Sequence, residues 1–228
     1  MLNLLAMFAA TLIAAFTPSA AGHPSASASG SPSASASAAT AQPPIIWKHS
    51  RAIGRPDAGR LVNGVQFPAE GPHFFTWDMV THRSPNRGWR RYGTDRLVRT
   101  VLRVIDAYAA AHPNAPRVGV GDLSRPHGGD FGPQYGWIGH VSHQNGLDVD
   151  IWYPRLDGRE RWPDRVSQVN RRLSQDLVNR FVQACATLIF VGPNTGLHGP
   201  AGVVQPLANH DNHMHVRLLP DSLAGTCG

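Results

Sequence analysis

Two short segments of the chain alternate apolar and polar residues with the two-residue period of a β-strand. In residues 147–152, LDVDIW, one face is apolar and the other carries Asp148, Asp150 and Trp152. In residues 213–218, HMHVRL, one face is again apolar and the other carries His213, His215 and Arg217. Each strand can bury one face in a core and present metal-ligand side chains on the other. The chain is therefore expected to fold around a sheet that has a functional site on one face.

A polar face of alternating Asp opposite a polar face of alternating His is suited to a divalent metal. Imidazole nitrogen and carboxylate oxygen are ligands of zinc, and three protein ligands leave a fourth position for water. A single His or Asp on a strand is more often an ordinary hydrogen-bonded residue. The concentration of His in 139–152 and 209–218 favours a metal, and a purely structural zinc would more often use cysteine. The pattern therefore favours catalytic zinc.

The strings SHQNGLDVDIW and HDNHMHVRL resemble the penicillin-insensitive murein endopeptidases, which are zinc peptidases similar to lysostaphin-type enzymes and D-Ala-D-Ala carboxypeptidases. The resemblance is specific over these strings, looser over the rest of the chain from about Ile53, and absent from the N-terminal residues. It implies one zinc ion per domain. The implied ligands are His143, Asp150 and His215.

The resemblance also implies roles for the neighbouring polar residues. Some related enzymes use a Glu near the last ligand as general base, and this segment has none, so His213 is expected to act as base or to stabilise the transition state. His140 and His210 are expected to bind substrate or orient the water. Asp148 is expected either to orient a ligand His or to cap a turn, and both alternatives stay open.

The family resemblance implies hydrolysis of the D-alanyl–diaminopimelyl cross-links of peptidoglycan, so that stem peptides and cross-links are the expected partners. One alternative is a zinc D-Ala-D-Ala carboxypeptidase that trims uncrosslinked stems. Another is a wall-binding domain that retains zinc and lacks turnover. Only an endopeptidase would convert cross-linked muropeptide dimers to monomers.

The N-terminal sequence predicts export. Residues 1–22 have no charged side chain, are apolar to Phe16 and then turn to Pro and small residues, as in a cleaved signal peptide. This apolar stretch is short for a membrane span, although a retained segment would act as an anchor. Residues 23–44 are rich in Ser, Ala and Pro and predict a disordered linker, leaving 45–228 as the catalytic domain. The expected location is secreted or periplasmic and associated with the cell wall.

The formal charge of +6 belongs to that domain, because no Lys, Arg, Asp or Glu precedes Lys48. Such a domain is attracted to anionic wall polymers, although a merely solubilising surface explains the charge equally well. Nucleic acid is not expected, because the Arg-rich spots lack an aromatic stacking pattern.

The chain has two cysteines, Cys185 and Cys227. In an exported protein two cysteines usually pair, so a disulfide is predicted between the C-terminal tail and the end of a helix. The alternative, two thiolate metal ligands, is disfavoured because their spacing is unlike that of a zinc knuckle.

The remaining patterns predict an α+β fold, with helices on a small antiparallel sheet that carries the zinc site. One helix is predicted after a Thr94 cap and before Pro113, and a second after a Ser167 cap. Short strands are predicted around 61–67, 74–80 and 117–120, and in the TLIFV segment. Long loops at 121–142 and 192–209 are expected to shape the substrate groove.

Overall fold

A seven-stranded sheet occupies the centre of the fold in the computed structural model, which describes residues 44–133 and 141–220. The strands are β1 (Arg51–Arg55), β2 (Ala58–Val62), β3 (Val65–Gln66), β4 (Glu70–Gly71), β5 (Phe74–Thr76), β6 (Tyr92–Gly93), β7 (Val118–Val120), β8 (Asp148–Trp152), β9 (Ala186–Val191), β10 (Val204–Pro206) and β11 (His213–Leu218). The helices are α1 (Asp95–Ala111) and α2 (Arg171–Gln183). The predicted signal peptide and all but the last residue of the predicted linker lie outside the described residues. Within the described residues, no helix has the length and apolar character needed to span a membrane.

The strand order in the large sheet is β10-β9-β11-β8-β7-β5-β4. Four of the neighbouring pairs are antiparallel, whereas β10 with β9 and β5 with β7 are parallel. The predicted α+β class is confirmed, but the sheet carrying the site is larger than predicted and mixed. The β5–β7 pair is parallel because α1 lies between these strands in the chain, and a helical crossover allows two strands to pair in parallel.

Strands β8 and β11 pair at the centre of this sheet, with the alternation that the sequence predicts. Their apolar faces enter the core, where the alternating residues are essentially inaccessible to solvent; these are Val149, Ile151, Met214, Val216 and Leu218. The antiparallel register sets His215 opposite Asp150 and Arg217 opposite Asp148. A slip of one residue would move these polar side chains into the core, so burial of the apolar face specifies the register.

Helix α1 begins where the sequence predicts. The Thr94 side chain caps it by accepting a hydrogen bond from the backbone N–H of Leu97 at 3.1 Å, and the helix ends before Pro113. Its apolar residues are buried on one face, including Leu97, Val101, Ile105 and Tyr108. That face contributes to the core that α2 and the sheet share.

The predicted cap of α2 is wrong. Ser167 lies in a short 3-10 turn, Val166–Gln168, and the helix instead begins after Asn170, whose Oδ1 accepts from the Leu173 N–H at 3.2 Å. A backbone hydrogen bond from the N–H of Asn170 to the Pro154 carbonyl fixes the position of the residue that precedes the helix. Cys185 follows the helix with a φ of 66°. Its predicted partner Cys227 lies outside the described residues, so the disulfide remains a prediction.

A buried ion pair fixes the segment beside β8. Nε of Arg90 donates to Oδ1 of Asp122 at 2.6 Å, and both side chains are almost fully buried, at 0% and 1% exposure. Nδ2 of Asn86 donates to the same oxygen at 2.9 Å. The Asp122 carbonyl in turn accepts the N–H of Asp150 at 2.9 Å. The pair therefore helps to hold the strand residue that carries one of the predicted ligands.

The substitution Asp122→Asn is expected to lower the free energy of unfolding by about 3–5 kcal/mol, because it leaves the buried Arg90 charge uncompensated. Urea unfolding of the two proteins measures this difference. The matched control is Asp57→Asn, which breaks an exposed pair with Arg55 and should change stability little, since solvent screens such pairs. Equal effects of the two substitutions would contradict the structural role of the buried pair.

Candidate metal centre

Three side chains converge at one point on the polar face of the sheet. Nε2 of His143 lies 3.1 Å from Nδ1 of His215 and 3.3 Å from Oδ1 of Asp150. Nδ1 of His215 lies 3.2 Å from the same Asp150 oxygen. All three side chains are buried. The structure thus brings together the three residues predicted as metal ligands.

The local fold explains this convergence. His215 and Asp150 face each other across the β11–β8 pair, whereas His143 reaches the same point from the turn before β8. His143 has a φ of 69° and Gly146 a φ of 76°. The backbone bends between these two residues before it enters β8. A Cβ at Gly146 would lie 2.8 Å from a methyl carbon of Leu61, so this turn requires glycine on two counts.

The spacing of the three donor atoms fits a tetrahedral metal ion. Ligand atoms about 2.0–2.1 Å from zinc at tetrahedral angles lie roughly 3.3 Å apart. The distances of 3.1, 3.2 and 3.3 Å agree with that edge length. Two imidazoles and one carboxylate form an open three-ligand set of the kind found in catalytic zinc sites. The residues present therefore fit a zinc ion.

The electrostatics of the centre favour a cation between its carboxylates. Burial by itself would raise the pKa of Asp150, but the neighbouring His143 and His213 hold that pKa well below its usual value. Burial would likewise lower the pKa of His215, yet contacts with Asp148 and Asp150 outweigh burial and raise its pKa to about 9. Without metal, His215 is thus protonated at neutral pH, and a bound metal would take the place of that proton.

Asp148 lies behind the ligands and touches two of them. Its side chain is 0% exposed, and Oδ2 accepts the backbone N–H of His143 at 3.0 Å. Oδ1 lies 3.3 Å from Nε2 of His215 and accepts from Nε of Arg217 at 2.6 Å. One carboxylate thus accepts the backbone N–H at His143 and lies against the ring of His215. Its predicted role in orienting a ligand histidine stays a prediction.

His213 and His210 form the wall beside the ligands. Nε2 of His213 is 3.9 Å from Oδ1 of Asp150, and its Nδ1 is 2.7 Å from Oδ1 of Asn212. The His210 ring stacks on the His213 ring with centroids 4.7 Å apart. His140, the third residue predicted to act in catalysis, lies outside the described residues.

The centre opens into a cavity of about 800 Å³. The described ends of both predicted long loops contribute to its lining, through Val141 and through Leu207. Both side chains are exposed, by 79% and 41%. A cavity of this size, lined by both apolar and polar side chains, can accept a peptide segment.

Sequence reasoning missed Phe190 as a lining residue. It lies in the TLIFV strand, which was predicted only as a strand, and it pairs with His215 across the β9–β11 ladder. Its ring centroid is 5.9 Å from that of His215 and 5.7 Å from that of His210. The signal that could have found it is the period of two in TLIFV, but only the register shows which face it joins.

The metal-free protein is expected to lose stability as the pH rises from about 6.5 to about 9. The folded-state pKa of His215, about 9, exceeds the ordinary value of 6.5, so its contribution is complete below pH 6.5 and disappears as pH passes 9. A shift of this size corresponds to about 3 kcal/mol. Urea unfolding in chelator across this range measures the loss. The control variant His215→Gln should lack this slope, and a wild-type protein of constant stability would contradict the assignment.

Comparisons with known proteins show the family of this chain. The family model described as penicillin-insensitive murein endopeptidase matches residues 52–190, more than half of the chain, including His143 and Asp150. A protein of that name from Yersinia enterocolitica is 30% identical over 200 residues, covering 74% of this chain and 66% of the relative. Another from Haemophilus influenzae is 30% identical over 201 residues, covering 77% and 65%.

A third protein of the same name, from Pectobacterium atrosepticum, is 35% identical over 127 residues, which are 43% of each chain. The alignments thus span at most just under two thirds of the length of these three relatives. The residues that match the family model extend from β1 into β9. The chain therefore belongs to the penicillin-insensitive murein endopeptidase family.

Proposed function

We propose that this protein is an exported zinc-dependent endopeptidase that hydrolyses peptide cross-links of peptidoglycan, with the D-alanyl–diaminopimelyl bond as substrate. The observation that carries the proposal is the trio of donor atoms from His143, Asp150 and His215, spaced for a tetrahedral ion and lying in the wall of an open cavity. The relatives' name, penicillin-insensitive murein endopeptidase, supports peptidoglycan as the substrate. It also supports a site of action outside the cytoplasmic membrane.

The ligand trio would hold zinc, which when bound supplies a Lewis acid for the peptide carbonyl and a water of lowered pKa. The other residues of the site have separate tasks. With Oδ1 of Asn212 as acceptor, Nδ1 of His213 carries its proton, which leaves the lone pair on Nε2. That nitrogen is on the Asp150 side of the ring. His213 can therefore receive a proton from the attacking water and return it to the leaving amine.

His210 and Phe190 would position the substrate next to His213. The stacking of His210 on His213 limits rotation of both rings. Phe190 contributes an apolar surface between His210 and His215. A peptide held against this surface has its scissile carbonyl near the ligands, and such positioning lowers the entropic part of the barrier.

Asp148 is proposed as a positioning residue. Its contact with Nε2 of His215 orients the ring so that Nδ1 faces the ligand point. Its second oxygen holds the backbone of His143. Carboxylates behind metal-binding histidines typically change metal affinity by about 10–100-fold.

Substitution of the proposed ligands and of the proposed base should give two different phenotypes. His215→Ala and Asp150→Ala are expected to lose both zinc and activity, because each removes one of three ligands. His213→Ala is expected to retain zinc and to lose about 10²–10⁴-fold in kcat, the usual contribution of general acid–base catalysis. Zinc content by mass spectrometry and turnover of a soluble muropeptide measure the two properties.

The control for these variants is His73→Ala, which changes an exposed histidine at the β4–β5 edge of the sheet. It should retain both zinc and turnover. Full activity of His213→Ala would remove His213 from the mechanism. Full zinc occupancy in the Asp150 variant would show that the metal binds elsewhere.

The purified protein loaded with zinc is expected to convert cross-linked muropeptide dimers to monomers, and a chelator should abolish the reaction. Mass spectrometry of the products identifies the bond that is cut. Intact dimers together with loss of D-Ala from monomeric pentapeptide stems would instead support a carboxypeptidase. No change in either substrate despite bound zinc would support a wall-binding domain without turnover.

A further inference from the structure

A second cavity, of about 720 Å³, lies outside the candidate metal centre. It runs between the first described residues and the N-terminal half of α1, and it is called here the α1 groove. Its lining includes Trp47, Asp95, Arg96, Arg99 and Arg103. None of the groove's lining residues also lines the cavity at the metal centre. The two cavities therefore require separate explanations.

The α1 groove carries a row of three arginines. Arg96, Arg99 and Arg103 are three and four residues apart, so they share one helix face at steps of about 4.5 and 6 Å along the axis. Within the described parts of the chain, no ion pair involves any of the three. Nε of Arg96 is shielded from solvent and has no acceptor among those residues. This arrangement leaves a strong local excess of positive charge.

The acidic residue of the groove, Asp95, forms no ion pair with these arginines among the described residues, and each of its oxygens accepts a backbone N–H. Oδ1 of Asp95 accepts the N–H of Lys48 at 3.1 Å, and Oδ2 accepts the N–H of Ser50 at 2.9 Å. Oγ of Ser50 in turn accepts the N–H of Asp95 at 2.5 Å. This reciprocal clamp fixes the segment that carries Trp47 against the start of α1.

The clamp also preorganises one arginine. The guanidinium carbon of Arg99 lies 3.5 Å from the centroid of the Trp47 ring, a close cation–π contact. A long side chain held in this way loses less conformational entropy when it binds a ligand. The row therefore includes one guanidinium, that of Arg99, which is already held in place before a ligand binds.

We propose that the α1 groove binds a linear phosphodiester polymer of the cell wall. Guanidinium groups match phosphate oxygens through paired hydrogen bonds. Three of them in a row on one helix face suit a chain of repeated phosphates better than an isolated carboxylate. The inference goes beyond the proposed function and depends on it only for the wall as the source of the polymer. Occupancy of the groove would hold the enzyme on its insoluble substrate.

Co-sedimentation with insoluble cell walls tests the proposal. The probe is a preparation of native cell walls that carry a polyol-phosphate polymer. The comparison sample is the same walls after treatment with hydrogen fluoride, which cleaves phosphodiester bonds and leaves the murein intact. Wild-type protein is expected to bind native walls and to lose most binding to treated ones. The variant Arg96→Gln/Arg99→Gln/Arg103→Gln should lower the slope of log affinity against log salt by about 2, at roughly 0.7 for each lost phosphate contact.

The matched control is Arg159→Gln/Arg171→Gln/Arg172→Gln, which removes the same formal charge from exposed positions elsewhere and should bind walls like the wild type. Since Arg99 packs on Trp47, the variant Arg96→Gln/Arg103→Gln keeps that contact and should still lose most of the slope. Binding that survives hydrogen fluoride, or equal losses in the control variant, would overturn the proposal. Tighter binding of single-stranded DNA than of the polymer would also overturn it.

Hydrolysis of soluble muropeptide dimers separates this proposal from the proposed function. The groove variants should cleave soluble dimers at the wild-type rate, because none of the three arginines lines the cavity at the metal centre. A protein that binds native walls through the groove but leaves dimers uncut would refute the proposed activity alone. A protein that cuts dimers and binds treated and native walls equally would refute the groove alone.

Discussion

The antiparallel pairing of β8 with β11 is the constraint on which the rest of the site depends. Its register sets Asp150 opposite His215 and Asp148 opposite Arg217 on one face, while the apolar residues of both strands enter the core on the other. Burial of that apolar face is what holds the register, because a shift by one residue would reverse every side chain. Burial of the apolar side chains on one face thus fixes the positions of the polar side chains on the other face.

Buried charges then refine the positions that the sheet sets. Asp148 contacts both histidines of the candidate metal centre, and the Arg90–Asp122 pair fixes the segment that hydrogen-bonds the backbone of Asp150. The cavity beside His143, Asp150 and His215 is lined by strand residues such as Phe190 and by loop residues such as Val141 and Leu207. The sheet therefore positions the three candidate ligands, and loop residues complete the cavity around them.

Local sequence patterns predicted the elements that depend on local physics. The Thr94 cap and the apolar repeat specified α1, and the alternation specified β8 and β11, because capping and periodicity involve neighbouring residues. The cap of α2 was predicted at Ser167 instead of Asn170, since a tertiary hydrogen bond to Pro154 decides where that helix begins. The parallel strand pairs were missed for a similar reason, because strand partners distant in sequence leave no local pattern.

The sequence by itself determined which residues are of metal-ligand type, on which strand faces they lie, and which family their spacing resembles. Only the tertiary structure decided that three donor atoms from 143, 150 and 215 meet within 3.3 Å of one another. It also decided that Phe190 flanks them and that three arginines of α1 line a separate groove with Trp47. The physical reason is that residue types and periodicity are local properties, whereas distances between segments depend on how the whole core packs.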